Sequence, residues 1–496
     1  MIAAYPVTAA AGVLPAALIV LAAAVCAVLA AAVRRMRPAV YTWIACIGLA
    51  ASAIASLVLL FAMRRAPGGV GLVAFGGSLI IDRFSVFCSV TFAVLAAALC
   101  AASGSLTRRI RTRAGAFCSL VLAATAAAVV LASQREMVTL FICTEVFVIC
   151  IAILSAIVKT DRRGSEAALK YLVLAGTGSA ILLYGLAILY GVTGSTDLAQ
   201  VKLAYQQSSA LVTLGLVLAL VGLSVAVGAL PLRQWLSLLG EGSPAAVAAF
   251  VTAVGISAGA VAYSRFSVGG LGAAVQPWID VTALLAALTM LHAGLAALRA
   301  STLRQLSAQL AGFQAGLMLL AILSVTRQAN AKDGLIALLF TVVATGVAAI
   351  ALFVTIDVLE NTVHARRLED FRGLGRTAGF LSLMLSLALA SLGGLPPLAG
   401  FLSRILVIEA AFASGHGVPG VITVAAGVLT ALASLRFIAL LYGEGGEEAR
   451  APAQRTPRTT WTVIAACGLA AVVVTVLAQP LLALAGGGAA AVLPGT

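Results

Sequence analysis

Few ionisable side chains lie within the apolar stretches of this 496-residue sequence, and each is a candidate for chemistry. Glu145 sits in Leu140-Phe141-Ile142-Cys143-Thr144-Glu145-Val146-Phe147-Val148, with more than two helical turns of apolar residues after it. A carboxyl group in such surroundings is costly to keep and is a candidate proton carrier. Lys170 follows Glu166 by four residues, a spacing that suits a same-face ion pair at a membrane interface as well as a place in a proton path. Arg404 and Glu409 share one apolar stretch, and Arg436 lies in the next, where its long side chain can also reach an interface. His292 is open to reading as a proton relay, a metal ligand or a satisfied core histidine, while His364 and His416 fall in connections. The eight cysteines lack the paired spacing of a metal or cluster site and read as small core residues.

These residues need a membrane scaffold. The chain is 62% hydrophobic and 10% charged, whereas a soluble domain is about a quarter charged. Apolar runs predict an all-α polytopic membrane protein of about 14 transmembrane helices, at 12–33, 41–63, 84–102, 116–133, 137–158, 167–192, 211–230, 245–264, 277–298, 303–325, 334–358, 378–413, 420–443 and 460–485. No soluble catalytic domain fits beside them. The first run follows Met1 without a basic segment and is long enough to span, so it reads as a helix rather than a cleaved leader.

The net charge of +14 follows from topology, not from a nucleic-acid partner. Connections after odd-numbered spans carry 20 of the 31 Lys and Arg residues, with Arg233 counted among them; connections after even-numbered spans carry 8, including Arg265. The excess places odd connections in the cytoplasm and both termini on the outer face of a bacterial-type cell membrane.

Two spans carry matching interruptions. Span 7 ends in Gly228-Ala229-Leu230-Pro231-Leu232, and span 12 contains Gly393-Gly394-Leu395-Pro396-Pro397. Proline must break each helix, and a freed carbonyl at membrane depth is tolerated only in the protein interior or beside water. One such break is an ordinary kink; two, five spans apart and of opposite direction, point to inverted five-helix repeats over spans 4–8 and 9–13, with a transport path at the breaks. The expected organisation is residues 1–113 as an N-terminal three-span segment, 114–266 and 267–445 as the repeats, and 446–496 carrying span 14.

Ser165-Glu166-Ala167-Ala168-Leu169-Lys170-Tyr171-Leu172, continuing through Gly178 to Gly185 and to Gly194-Ser195-Thr196-Asp197-Leu198, resembles subunit N of bacterial proton-pumping NADH-quinone oxidoreductase, an antiporter-like membrane subunit family. The same is true of Gly228 to Pro231 with Trp235, Glu241-Gly242-Ser243-Pro244, Phe371-Arg372-Gly373-Leu374-Gly375, and Ser391 to Phe401. The lack of a further helix after span 14 favours subunit N over the longer subunit L. The resemblance implies a line of buried charge at the membrane midplane, with a glutamate in span 5 and lysines in spans 7, 8 and 12. The glutamate matches Glu145; the lysines fall on Ala226, Ile256 and Arg404; a span-10 histidine falls on Gln314, and a polar run beside it on Gln309-Leu310-Ala311. Arginine does not release its proton, and alanine and isoleucine carry none.

The resemblance therefore implies a membrane subunit that couples quinone reduction to proton translocation through an impaired path formed by Glu145, Lys170, Arg404 and Glu409. The chain itself is non-catalytic, and its partners are other membrane subunits and the bilayer. NADH, flavin, iron-sulfur clusters and quinone belong to those partners, since this chain has no dinucleotide motif or cluster-spaced cysteines. The alternatives are a cation/proton antiporter subunit and a non-conducting structural paralogue.

Overall fold

The computed structural model describes residues 5–33, 36–65, 71–206, 210–271, 276–326, 331–363, 366–444 and 458–492; His364 lies outside them. Among the described residues, thirteen helices are long and apolar enough to cross a membrane. They correspond to spans 1–11, 13 and 14, while span 12 is divided at its prolines into Gly379–Gly393 and Ala399–Ala413. The fold is the expected all-α membrane bundle, with one small exception. A two-stranded antiparallel hairpin, β1 (Leu72–Ala74) and β2 (Leu79–Ile81), sits between spans 2 and 3, its turn formed by Gly76 and Gly77 at positive φ.

Helix ends follow local chemistry. Asp82 caps span 3 by accepting from Ser85 N, Asp161 caps span 6, and Thr302 caps span 10. Lipid provides no hydrophobic drive between helices, so contact depends on close approach. Gly185 faces the Ala219 backbone and Gly222 faces that of Leu182, which brings spans 6 and 7 backbone to backbone. Spans 8 (Ala245–Leu271) and 10 (Leu303–Thr326) are fully buried over their apolar middle portions and form the bundle centre.

Span 14 departs from expectation. Instead of one helix over 460–485, Arg458–Val476 ends near Leu477 and a second helix, Ala478–Val492, turns inward. Pro480 has no N–H to continue the first helix but is tolerated in the first turn of a new one. Ala485, Ala489 and Val492 of that second helix are buried, and it packs on spans 3 and 11.

Candidate functional site at two broken helices

The two interruptions have the same local geometry. In span 7, Gly228 takes φ +81, its N–H bonds to Val225 O, the Ala229 N–H bonds to Ser224 O, and the Leu230–Pro231 peptide is cis. In span 12, Gly394 takes φ +72, its N–H bonds to Ser391 O, the Leu395 N–H bonds to Ala390 O, and Pro396–Pro397 is cis. Each is a glycine C-cap closed by backbone bonds at the same offsets, and only glycine adopts that φ without strain.

The carbonyls around each break are satisfied by side chains. Val225 O accepts from Trp235 Nε1 at 2.9 Å, Leu230 O from Ser224 Oγ at 3.2 Å, and the Leu230 N–H donates to Thr289 Oγ1 at 3.0 Å. In span 12, Leu392 O accepts both Gln314 Nε2 at 3.0 Å and Arg404 Nη2 at 2.9 Å. Arg404 also donates to Thr430 Oγ1 and Gly427 O, both at 3.0 Å, and lies 4.3 Å from the centre of the Phe313 ring. It is 6% exposed, and no carboxylate lies within ion-pair distance among the described residues.

A second buried arginine stands at the other break. Arg233 is 2% exposed; it donates through Nη1 to His292 Nδ1 and through Nη2 to Gln309 Oε1 at 3.0 Å, and Gln309 in turn donates to Ser237 Oγ. Arg233 was counted above as a cytoplasmic loop cation, and the structure corrects this. Proline delays the helix restart, so Arg233 still lies within the bundle, and Gly312 of span 10 leaves room for its guanidinium. The neighbouring Phe313 carries Arg404. Met290 meets Thr423 and Gly294 packs on Ala426, so His292 and Gly427 share a depth. The two arginines therefore lie at about that depth, on neighbouring faces of span 10.

The expected site residues are distributed unevenly around this pair. Glu145 is half-buried on span 5, and its Oε1 has no hydrogen-bond partner. Beside it, Thr144, Val148, Tyr171, Trp235, Ala226 and Gly259 line part of a cavity of about 40 Å³, room for on the order of three waters at ~10–15 Å³ each. Lys170 meets Glu166 at 2.5 Å on an exposed face, and Glu409 and Arg436 are also exposed, so none of these three joins the network at the breaks. Pro231, Gly393, Pro396 and Pro397 do flank it.

Sequence reading missed three charge sites. Arg265, counted as an outer-loop cation, is 5% exposed and pairs with Asp82 at 2.5 Å, joining spans 8 and 3. Arg304 pairs with Glu360 through two bonds of 2.6 and 2.7 Å and donates to Ser243 O. Asp357 accepts from Ser105 Oγ at 2.6 Å. His292 also gains a partner that its isolation in sequence did not suggest.

The profile of the NADH:quinone oxidoreductase/Mrp antiporter transmembrane family matches residues 134–430, which include both breaks. The chain belongs to that family. Among its relatives, NADH-quinone oxidoreductase subunit N of Desulfovibrio desulfuricans is 29% identical over 87% of this chain and 86% of its own length. A chain of respiratory complex I from Thermus thermophilus is 27% identical, with a TM-score of 0.76 over 95% of this chain and 99% of that one. A chain of the Mrp complex from Dietzia is similar in fold, at TM-score 0.86, 20% identity and 98% coverage of both chains. Family members are membrane subunits of such complexes, and in this chain a buried arginine stands beside each helix break.

Proposed function

We propose that this chain is a subunit-N-type member of a quinone oxidoreductase complex in the bacterial cell membrane, coupling quinone reduction to proton translocation while relaying few protons itself. Its partners are neighbouring membrane subunits, and NADH, flavin, iron-sulfur clusters and quinone are bound by other chains of the assembly. The observation that carries this reading is the pair of buried, hydrogen-bonded arginines beside the two breaks, with Ala226 and Ile256 supplying no charge between them and Glu145. A guanidinium keeps its proton, so it can hold a field and fix a helix break but cannot load and unload.

The matched cap geometry supports equivalent breaks in two inverted repeats, spans 4–8 and 9–13, framed by residues 1–113 and 446–496. Glu145 is the carboxyl we assign to proton carriage, and Arg404 the fixed charge; Lys170 and Glu409 belong to the outer faces. The test is isolation of the tagged chain from native membranes. Co-isolation of quinone reductase activity is expected, together with no sodium–proton exchange by the chain alone in proteoliposomes. Exchange without associated quinone reduction would favour the antiporter reading instead.

A further inference from the structure

We propose that His292 is a proton-accepting group of this chain whose protonation releases the buried Arg233 guanidinium; the proposal deepens, and rests on, the reading of the chain as a proton-coupled subunit. His292 lies on an exposed face of span 9 beside exposed Leu288, Leu291 and Leu295, yet its Nδ1 reaches inward to Arg233 Nη1. It therefore joins the outer surface of the bundle to an almost fully buried cation. A guanidinium can only donate, so this contact requires a lone pair on Nδ1 and places the proton of the neutral ring on Nε2.

The step follows directly. A proton taken up on the Nδ1 lone pair breaks the hydrogen bond from Arg233. Imidazolium and guanidinium then repel, while Arg233 keeps its own protons and its bond to Gln309 Oε1. Deprotonation restores the contact.

Other charges are remote from this exchange. The first half of span 7, Ala210–Val227, has no ionisable residue, and its second half supplies Arg233 and, two turns later, Glu241. On span 10, Arg304 is held by Glu360 and Ser243 O. On span 13 the stretch Thr423 to Gly427 is uncharged, and Arg436 lies more than two turns beyond. On span 9 itself, Asp280 is three turns before His292 and Arg299 about two turns after it.

The sequence has three histidines, so nitrogen NMR on the full chain, labelled at histidine in lipid nanodiscs, resolves the matter once His292→Gln has identified the signal. Between about pH 5 and 9, the His292 resonance is expected to pass from the Nε2-protonated neutral ring to the doubly protonated one. Arg233→Gln is expected to move the midpoint. Gln309→Glu, which gives Arg233 a carboxylate, is expected to move it independently where the first variant fails to insert. A ring that stays neutral throughout, or an identical midpoint in every variant, would overturn the proposal. Co-isolation of quinone reductase activity with the tagged chain separates the two claims. A titrating His292 in a chain that brings down no quinone reductase upholds the site and defeats the proposed function, whereas a silent His292 in a chain that does co-isolate defeats the site alone.

Discussion

Arg404 holds three acceptors with a planar fork that a lysine ammonium does not reproduce. Replacing it with methionine removes one donor from each of Gly427 O, Leu392 O and Thr430 Oγ1, while Thr430 still donates to Gly427 O and Gln314 to Leu392 O. Hydrogen bonds from a charged donor contribute ~1.5–3 kcal/mol each. Arg404→Met is therefore expected to lower the thermal unfolding midpoint of the detergent-solubilised chain, whereas Arg436→Met, on an exposed face, is expected to leave it nearly unchanged. The Asp82–Arg265 pair allows a cleaner test, because asparagine can still cap span 3 while losing the charge. Asp82→Asn strands a buried guanidinium and should cost ~3–5 kcal/mol in the same assay. Glu145→Gln has no partner to lose at Oε1, so it is expected to spare assembly and to lower protons translocated per quinone reduced only slightly, as suits a chain that relays few.

The halves of span 12 meet so closely that a Cβ on Gly400 would overlap the Ser391 carbonyl oxygen, which is backbone and cannot yield. Gly400→Ala is expected to cost ~3 kcal/mol and deplete folded protein in membranes, as seen by quantitative blotting; Gly379→Ala, with open space around its Cβ position, should not. The breaks themselves were legible in sequence because proline and glycine act locally: Gly228 with Pro231 and Gly394 with Pro397 are enough to stop a helix. What enters the gap was not legible. Arg233 follows its proline by two residues and looks like a loop cation, and only the packing of Gly312 reveals that it is enclosed. His292 likewise looks alone because its partner is 59 residues away. The short hairpin and the inward helix Ala478–Val492 were hidden for a different reason, since hydropathy reports length and polarity but not direction.

At the scale of the molecule, the family fold is retained, and in the proposed reading the chemistry of its interior charges is altered. Buried guanidinium groups stand beside both breaks, and a small cavity bordered by Ala226 lies where the resemblance places a lysine. The central claim is that these fixed cations interrupt proton relay. It is tested most directly by protons translocated per quinone reduced in sealed vesicles, comparing the wild-type complex with one carrying Ala226→Lys and Arg404→Lys together. The cavity gives the first new ammonium space and water, and the second can release the proton that a guanidinium keeps. The account predicts a higher ratio in the double variant at an unchanged rate of quinone reduction. An equal or lower ratio in a fully assembled variant complex would contradict it.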